Sequence, residues 1–572
     1  NYNVSPLART WPSEEVLESL KDCFVKTNDG TTFHTHILLL CSISDTLHQV
    51  LLEDISKGKV PCELLMSSSD FKSVLDVIYH GHCEVNHQNL RSLLVTASNY
   101  NIKSLLNLCG NFMYKTICID NIVCWYKMAS EFLCEHVTAF MLHYLRINFS
   151  DVILHNSAKQ LTAEELVCVV SDDNASVHEY PLLLFILQWA DENSVHKYEL
   201  ARVLEHVRFT KMSMQCYFEA VSLPALAPFL RSRNKLDSLK NGKKFHDPPV
   251  TTRNSARKRP VFKPENNRVP REILLTVGGW SGSTPGPCPV VESFNSIANQ
   301  WTLLDDMPFN RAYHGTEIIE DKLFIVGGYD ATLPTYHSSV WSLDLRSMHW
   351  TKLTSMEYRR CYIGTCVWRD QIVAIGGHDG QERHRAVEGY DPQTNIWHEM
   401  ASLNQPRSDA AVVNFADRIF VIGGFDGAEV LDTVEEYLPS EDRWQLYAAN
   451  LNVKRSGVKA IVFQNKIYVI GGFDGMNRLR SVECFTPGGI RPTWHQVPDM
   501  NRRRSNFALT IMEEKIYVSG GYTDPSVTHE CEVYCPVANT WSDVAQMQHE
   551  KSALSQVKVS YSNTSNIHQF CQ

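Results

Sequence analysis

Ile467-Tyr468-Val469-Ile470-Gly471-Gly472-Phe473-Asp474-Gly475 decides how this 572-residue chain is to be read. Four apolar residues in a row fit a strand covered on both faces. The paired glycines that end the run let the backbone turn tightly and approach a neighbour that a side chain would block. An apolar run ending in Gly-Gly recurs at Gly278-Gly279, Gly327-Gly328, Gly376-Gly377, Gly423-Gly424, Gly471-Gly472 and Gly520-Gly521, at intervals of 49, 49, 47, 48 and 49 residues. A tryptophan follows each first glycine by 21 to 23 residues: Trp301, Trp350, Trp397, Trp444, Trp494 and Trp541. Between them lie stretches such as Val387-Glu388-Gly389-Tyr390 and Val482-Glu483-Cys484-Phe485. A period near fifty with this internal pattern predicts a four-stranded sheet repeated radially, the indoles filling the space between adjacent blades.

Closure follows from the ends of the repeat. Arg311, Arg360, Arg407, Arg455 and Arg504 each precede an apolar strand such as Gly457-Val458-Lys459-Ala460-Ile461-Val462. No such strand stands before Ile273, whereas Ser552 to Val559 lies unused beyond the last tryptophan. That segment is expected to complete the first blade and so remove the open edge of the sheet.

Working outward, 572 residues exceed what one core can serve and predict several domains. Apolar residues make up 44% and charged residues 21%, as in folded proteins, and no apolar run is long enough to span a bilayer. Asn1 to Thr10 lacks the pattern of a signal peptide, and there is no initiator Met, so the N-terminal end is left open. The net charge of −10 defines no partner. Lys235 to Arg271, however, carries 11 Lys/Arg against Asp237, Asp247 and Glu265, which reads as a solvated linker; a nucleic-acid partner is not expected. The 17 cysteines show no C-x-x-C pair and no regular spacing. Such usage fits a reducing compartment and a cytoplasmic location.

The first half is built differently. Asp22 to Val25 and Gly30-Thr31-Thr32-Phe33 read as a hairpin, and Phe33-x-x-His36-x-x-x-Leu40-x-x-x-Ser44 follows. Phe71 to Gly81 predicts a helix closed by a Tyr-x-Gly turn, with amphipathic helices over Asn89 to Tyr100 and Leu105 to Phe112. From Ile119 to Leu230 the pattern is almost wholly helical; Pro181 sits near a helix start, where proline is tolerated. These motifs resemble the BTB (POZ) domain over residues 1–115 and the BACK domain over 116–234. The fifty-residue units resemble kelch repeats. The expected organisation is an α+β BTB/POZ domain, an all-α BACK domain, a basic linker over 235–270, an all-β six-bladed kelch β-propeller over 271–560 and a tail over 561–572.

That order resembles the BTB–BACK–kelch family. The resemblance implies a substrate-recognition adaptor of a cullin-3 RING ubiquitin ligase. The BTB domain dimerises, BTB and BACK hold cullin-3, and the propeller holds a protein substrate. Such an adaptor does no chemistry and needs no cofactor; it raises the effective concentration of its client. The family's cullin-contacting stretch matches Ile55-Ser56-Lys57, where Ile55 keeps the apolar anchor and Lys57 stands where an acid is common. A reversed charge at an interface weakens binding to a surface complementary to the original. Thr46-Leu47 likewise replaces a common Tyr-Phe pair. The alternative is a dimeric scaffold that binds actin or another cytoskeletal protein without ligase activity.

The residues directly after the glycines are Trp280, Tyr329, His378, Phe425, Phe473 and Tyr522. Set around a channel mouth, such rings make an interface centre, although rings also pack into blade tops. A second ring follows the arginines: Ser408, Ser456, Ser505 and Ser552, with Ala312 and Cys361 in the other two blades. Their hydroxyls could meet peptide backbone or carboxylates. Tyr362 adjoins Cys361, and the resemblance places Arg478 at the loop position from which some family members clamp an acidic peptide, as a guanidinium fork can, the bland alternative being a solvated side chain.

Several signals are set aside. His34-x-His36 and His80-x-His82-Cys83 lack the further ligands a zinc site needs. Asp379-Gly380, Asp426-Gly427 and Asp474-Gly475 read as tight turns rather than metal loops. Tyr329, His314, His337 and His378 could be imagined around a copper ion, but the attached helical modules argue against it. No phosphate loop, dinucleotide fingerprint or nucleophile elbow occurs, so no enzyme is expected.

Overall fold

The structure is a computed structural model that describes residues 20–132, 135–212, 214–226, 229, 268–283, 285–332, 334–488 and 493–560. It divides between Arg268 and Val269 into two units. Most of the expected basic linker and the whole of the tail over 561–572 lie outside the described residues.

In the first unit the hairpin forms between Cys23–Thr27 and Thr32–Thr35, with Gly30 at φ 84° in the turn. Cys62–Leu64 joins the first strand in parallel. Helix Ser68–His80 begins where the Ser67 hydroxyl accepts the Asp70 N–H at 3.1 Å, and ends at left-handed Gly81. Helices Leu90–Asn99 and Lys103–Thr116 follow, then the helical stretch that includes Ile122–Phe132, Ala163–Val170 and Glu179–Glu192. One apolar core runs from Val25 and Phe71 through Trp125 to Ile186 and Trp189, so the sheet-bearing and all-helical parts share a single interior.

Arg268 corrects the expectation of a solvated linker at its end. It is 1% exposed; its Nε donates to Glu179 at 2.7 Å, and its two other nitrogens reach the Val170 and His206 carbonyls. A guanidinium can leave water only where a carboxylate and carbonyls replace the lost hydrogen bonds, and this pocket supplies both. Val269, the next residue, packs in the core of the second unit with Ile273 and Leu275.

The second unit is six antiparallel four-stranded sheets. In the blade formed around Lys466–Ile470, the order is Lys459–Phe463, Lys466–Ile470, Val482–Phe485 and His495–Val497. The first blade takes its inner strand from the other end of the chain: Ser555–Ser560 pairs antiparallel with Glu272–Val277 from Ser555↔Val277 to Ser560↔Glu272. No common core lies at the centre. Instead six apolar clusters each join two neighbouring blades. Ile467 and Val469 enter the cluster shared with the preceding blade, whereas Tyr468 and Ile470 enter the cluster shared with the following one. Successive side chains of a strand point to opposite faces, so a strand between two blades must be apolar at every position. Five of the six repeat tryptophans donate their indole N–H to a loop of the preceding blade, as Trp444 does to the Ala401 carbonyl at 2.8 Å.

The glycine pair does more than turn the chain. Gly472 donates its N–H to the Arg504 carbonyl of the next blade at 2.9 Å. Both glycines hold positive φ, 55° and 100°, and a Cβ at either would meet a backbone carbonyl at under 3 Å. Only residues without a side chain permit that crossing.

Two devices fasten the ring that apolar packing builds. In four blades a fully buried arginine meets a glutamate 28 residues later, on the third strand: Arg360–Glu388, Arg407–Glu435, Arg455–Glu483 and Arg504–Glu532. In the first blade Lys551 and Glu292 make the same pair at 3.4 Å across the closure. Each glutamate also accepts a backbone N–H from the loop ahead of its cation, such as Asn404 on Glu435 at 2.8 Å. The second blade departs from the rule. Trp341 stands where the glutamate belongs, and Arg311 lies over the Phe309 ring, its carbonyl partners being Asn310 and Gly327. Burial pulls the Arg311 pKa down to about 10, against the opposing influence of Asp330.

The second device is a closed hoop of backbone hydrogen bonds, one residue per blade. Tyr313 donates to Ala553, Tyr362 to Tyr313, Asp409 to Tyr362, Gly457 to Asp409, Asn506 to Gly457 and Ala553 to Asn506, at 2.7 to 3.0 Å. All six residues hold left-handed φ between 51° and 57°. Five of them are not glycine, and a left-handed residue with a side chain costs roughly 1 kcal/mol or more. The hoop offsets that cost by satisfying twelve backbone groups at the narrowest part of the ring.

Candidate functional site

The residue after each glycine pair forms a backbone bridge to the residue after the cation of the same blade: Tyr329↔Ala312, His378↔Cys361, Phe425↔Ser408, Phe473↔Ser456, Tyr522↔Ser505 and Trp280↔Ser552. The two rings expected from the sequence are therefore one ladder repeated six times around the channel mouth. The six post-glycine side chains are all half-buried. The four serines are buried, between 2% and 9% exposed; the Ser408 hydroxyl turns to the Phe425 carbonyl at 3.3 Å. The Ser456 hydroxyl turns likewise to the Phe473 carbonyl at 3.5 Å, so these two hydroxyls are spent within the blade.

Between the aromatic positions stand Arg478 and two groups that the sequence did not single out, Tyr336 and Arg383. Tyr336 bridges Tyr329 and His378, with ring centres 5.1 and 5.7 Å away. Arg383 bonds His378 Nδ1 at 3.3 Å and lies 5.0 Å over the Phe425 ring. Arg478 is held between two rings, 4.8 Å from Phe473 and 4.5 Å from Tyr522, and its Nη1 donates to Asp524 at 3.0 Å. A guanidinium stacked on aromatic faces keeps its in-plane donors free for a carboxylate, and here Asp524, 61% exposed, takes that role. The rim is thus a chain of flat surfaces, rings alternating with guanidinium planes. Such groups bury much area at small entropic cost.

Tyr362 belongs to the hoop, not the rim. Its ring lies 4.0 Å from that of Tyr313, and burial together with Tyr313 pushes its phenol well above the usual range. The aspartates of the rim loops close turns: Asp379, Asp426 and Asp474 each accept two N–H groups from the residues just ahead, and Gly380, Gly427 and Gly475 sit at φ near 100° or above. Among the described residues no three His, Cys, Asp or Glu side chains converge as metal ligands. His314 and His337 are instead pushed down to about 3 and about 4, burial being the main cause.

In the first unit, Ile55 lies in the last turn of helix Asp45–Ser56 and is 41% exposed. Lys57 caps that helix and pairs with Glu53 one turn back, both in solvent. Leu47, on the same helix, is fully buried in the core. The sequence signal for the clasp was available in the fixed 28-residue Arg-to-Glu interval. Nothing in the repeat marked Tyr336 or Arg383, because the loops that carry them differ from blade to blade.

Residues 14–117 match the BTB/POZ domain family, and residues 122–222 the BACK family (BTB And C-terminal Kelch). Residues 269–472 match the KLHDC2/KLHL20/DRC7 Kelch-repeats domain, and residues 454–501 and 503–548 the Kelch motif. The chain is similar to Kelch-like protein 36 of Rattus norvegicus, with 24% identity over 297 residues, 51% of this chain and 47% of the relative. The Mus musculus protein of the same name is 25% identical over the same shares. The chain spans about half the length of the curated relatives it matches. The solved structure of YjhT aligns with a TM-score of 0.39 and 13% identity, over 44% of this chain and 88% of that one.

Proposed function

Since the chain belongs to the BTB–BACK–kelch family, we propose that it is a non-catalytic adaptor that recruits a protein client to a cullin-3 ubiquitin ligase. In this proposal the rim of the propeller holds the client, the BTB domain pairs two copies in the cytoplasm, and the BTB and BACK domains engage cullin-3. The observation that carries it is the rim itself: six half-buried rings on one bridge ladder, with Arg383 and Arg478 stacked among them. A surface of rigid rings and guanidinium planes suits a protein segment that carries carboxylates. Trp280, Tyr329, His378, Phe425, Phe473, Arg478 and Tyr522 are the proposed client contacts, with Ser408, Ser456, Ser505, Ser552 and Tyr362 supporting them from within.

Cullin-3 contact is proposed at Ile55 and Lys57. A pull-down of the full chain with the cullin-3 N-terminal domain tests it directly. Capture that is lost on Ile55→Asp supports the adaptor role. An intact dimer that captures no cullin-3 refutes it and leaves a dimeric scaffold for actin or another cytoskeletal protein, a role that the Lys57–Glu53 pair favours by placing a cation where an acid is common.

A further inference from the structure

Below the hoop the channel widens. The space within the hoop is about 30 Å³; the space lined by the inner strands below it is about 320 Å³. Apolar residues would suffice to line a channel that served only to join blades. Instead the wall carries Lys459 and Glu317, with Thr316, Thr365 and Gln556 beside them, and Asp409 stands in the hoop above. Lys459 opens onto the cavity with no hydrogen-bond partner and no carboxylate within 4 Å among the described residues. Among the described residues the Asp409 carboxylate has no bonded partner either. Glu317 accepts one bond, from the Thr365 hydroxyl at 2.7 Å. In the wall, both amide atoms of Gln556 and the Thr316 hydroxyl are buried without a partner.

Lys459 senses each of the two acids yet touches neither, and Asp409 is influenced by Arg383 as well. The Lys459 ammonium is influenced by Asp409 and Glu317, and burial pulls its pKa down; burial pushes each carboxyl up to about 7. A direct ion pair would remove that cost. Its absence leaves Lys459 and Glu317 on facing blades of a space large enough for a small solute, with Asp409 on the blade beside that of Lys459; Lys558 also lines the space but is paired with Glu272 at 3.0 Å. An anion alone would satisfy Lys459 while facing Glu317. A cation alone would satisfy Glu317 while facing the lysine. A neutral polyol would leave both charges uncompensated.

We propose that the propeller channel is a binding site for a small zwitterion of the amino-acid class, its carboxylate on Lys459 and its ammonium on Glu317. The Gln556 amide and the Thr316 hydroxyl supply neutral hydrogen bonds from the wall. The site is separate from the rim and does not depend on what the rim holds.

Saturation-transfer NMR and thermal shift on the full chain test the proposal. The probes are glycine, β-alanine and γ-aminobutyrate, whose two charges stand progressively farther apart. Acetate and ethylammonium serve as single-charge counterparts. At least one zwitterion should bind about tenfold or more tightly than either counterpart, as two charge-assisted contacts exceed one. Lys459→Met and Glu317→Gln should each weaken it about tenfold. Should Lys459→Met fail to fold, the nearly isosteric Glu317→Gln still decides. Binding of no probe, or acetate or ethylammonium binding as well as the best zwitterion, overturns the proposal.

Discussion

Replacing Glu435 by Gln isolates the clasp. Arg407 is fully buried and donates to Glu435 Oε1 at 2.9 Å, to the Gly423 and Thr433 carbonyls at 2.9 and 3.0 Å, and to the Thr433 hydroxyl at 2.8 Å. The other Glu435 oxygen accepts the Asn404 backbone and side-chain N–H groups at 2.8 and 2.9 Å. Glutamine keeps the shape but turns one acceptor into a donor, so an NH₂ must face either the guanidinium or Asn404. It also leaves a buried cation without its counter-charge, which costs about 3–5 kcal/mol. At about 2–4 °C per kcal/mol for a domain of this size, the propeller transition should fall by roughly 6–20 °C. Nine of the twelve tryptophans lie in the propeller, so thermal melts of the full chain followed by indole fluorescence read that unit above all. The second blade supplies the control. Arg407→Met strands Glu435 and should cost as much as Glu435→Gln, whereas Arg311→Met strands no carboxylate and should cost about 1–2 kcal/mol through lost hydrogen bonds. A shift under about 2 °C for Glu435→Gln, or equal losses for the two Met variants, would refute the reasoning.

The remaining predictions concern charge. Asp524→Asn should release Arg478 for an incoming carboxylate and strengthen capture of an acidic client segment severalfold, while Arg478→Ala should abolish the gain; fluorescence polarisation with acidic peptides measures both. Glu317 keeps its proton up to about pH 7 in the folded chain and only to about 4.5 when unfolded, so its contribution is fully present below pH 4.5 and is lost as pH rises towards 7. Glu317→Gln should therefore gain melting temperature over the parent across that window and hold a constant advantage above it. His314 and His337 act in the opposite sense, favouring the fold above pH 6.5 and losing that contribution as pH falls towards about 3 and about 4, but they are common to both proteins and cancel in the difference.

The propeller was legible because its constraints act on every residue of a strand. Ile467 to Ile470 must be apolar throughout, since one neighbouring blade covers Ile467 and Val469 and the other covers Tyr468 and Ile470. Six copies turn a weak local signal into a decisive period, and the unpaired ends at Ile273 and Val559 announce the closure. The lysine that completes the series of arginines was not legible: Lys551 meets Glu292 from 259 residues away, and only the closed ring brings them together. Arg268 was hidden for a related reason. A local charge run predicts solvation, but the acid that buries this member stands 89 residues earlier, in helix Glu179–Glu192.

The rim and the channel differ in what a sequence can reveal about them. The rim begins at a fixed offset from the glycines, so its six rings could be named; their bridges to the post-cation residues then follow from strand register. What lies between the rings is set by loops of unequal length, so Tyr336 and Arg383 carry no mark of their position. The channel offers no offset at all. Its wall alternates with core positions along the inner strands, and Lys459 and Glu317 look like the ordinary polar residues of a half-exposed strand. Only closure turns those residues inward on one another, converting solvated charges into facing, unpaired ones. A propeller can therefore carry two independent surfaces, one written into the repeat and one created by joining its ends.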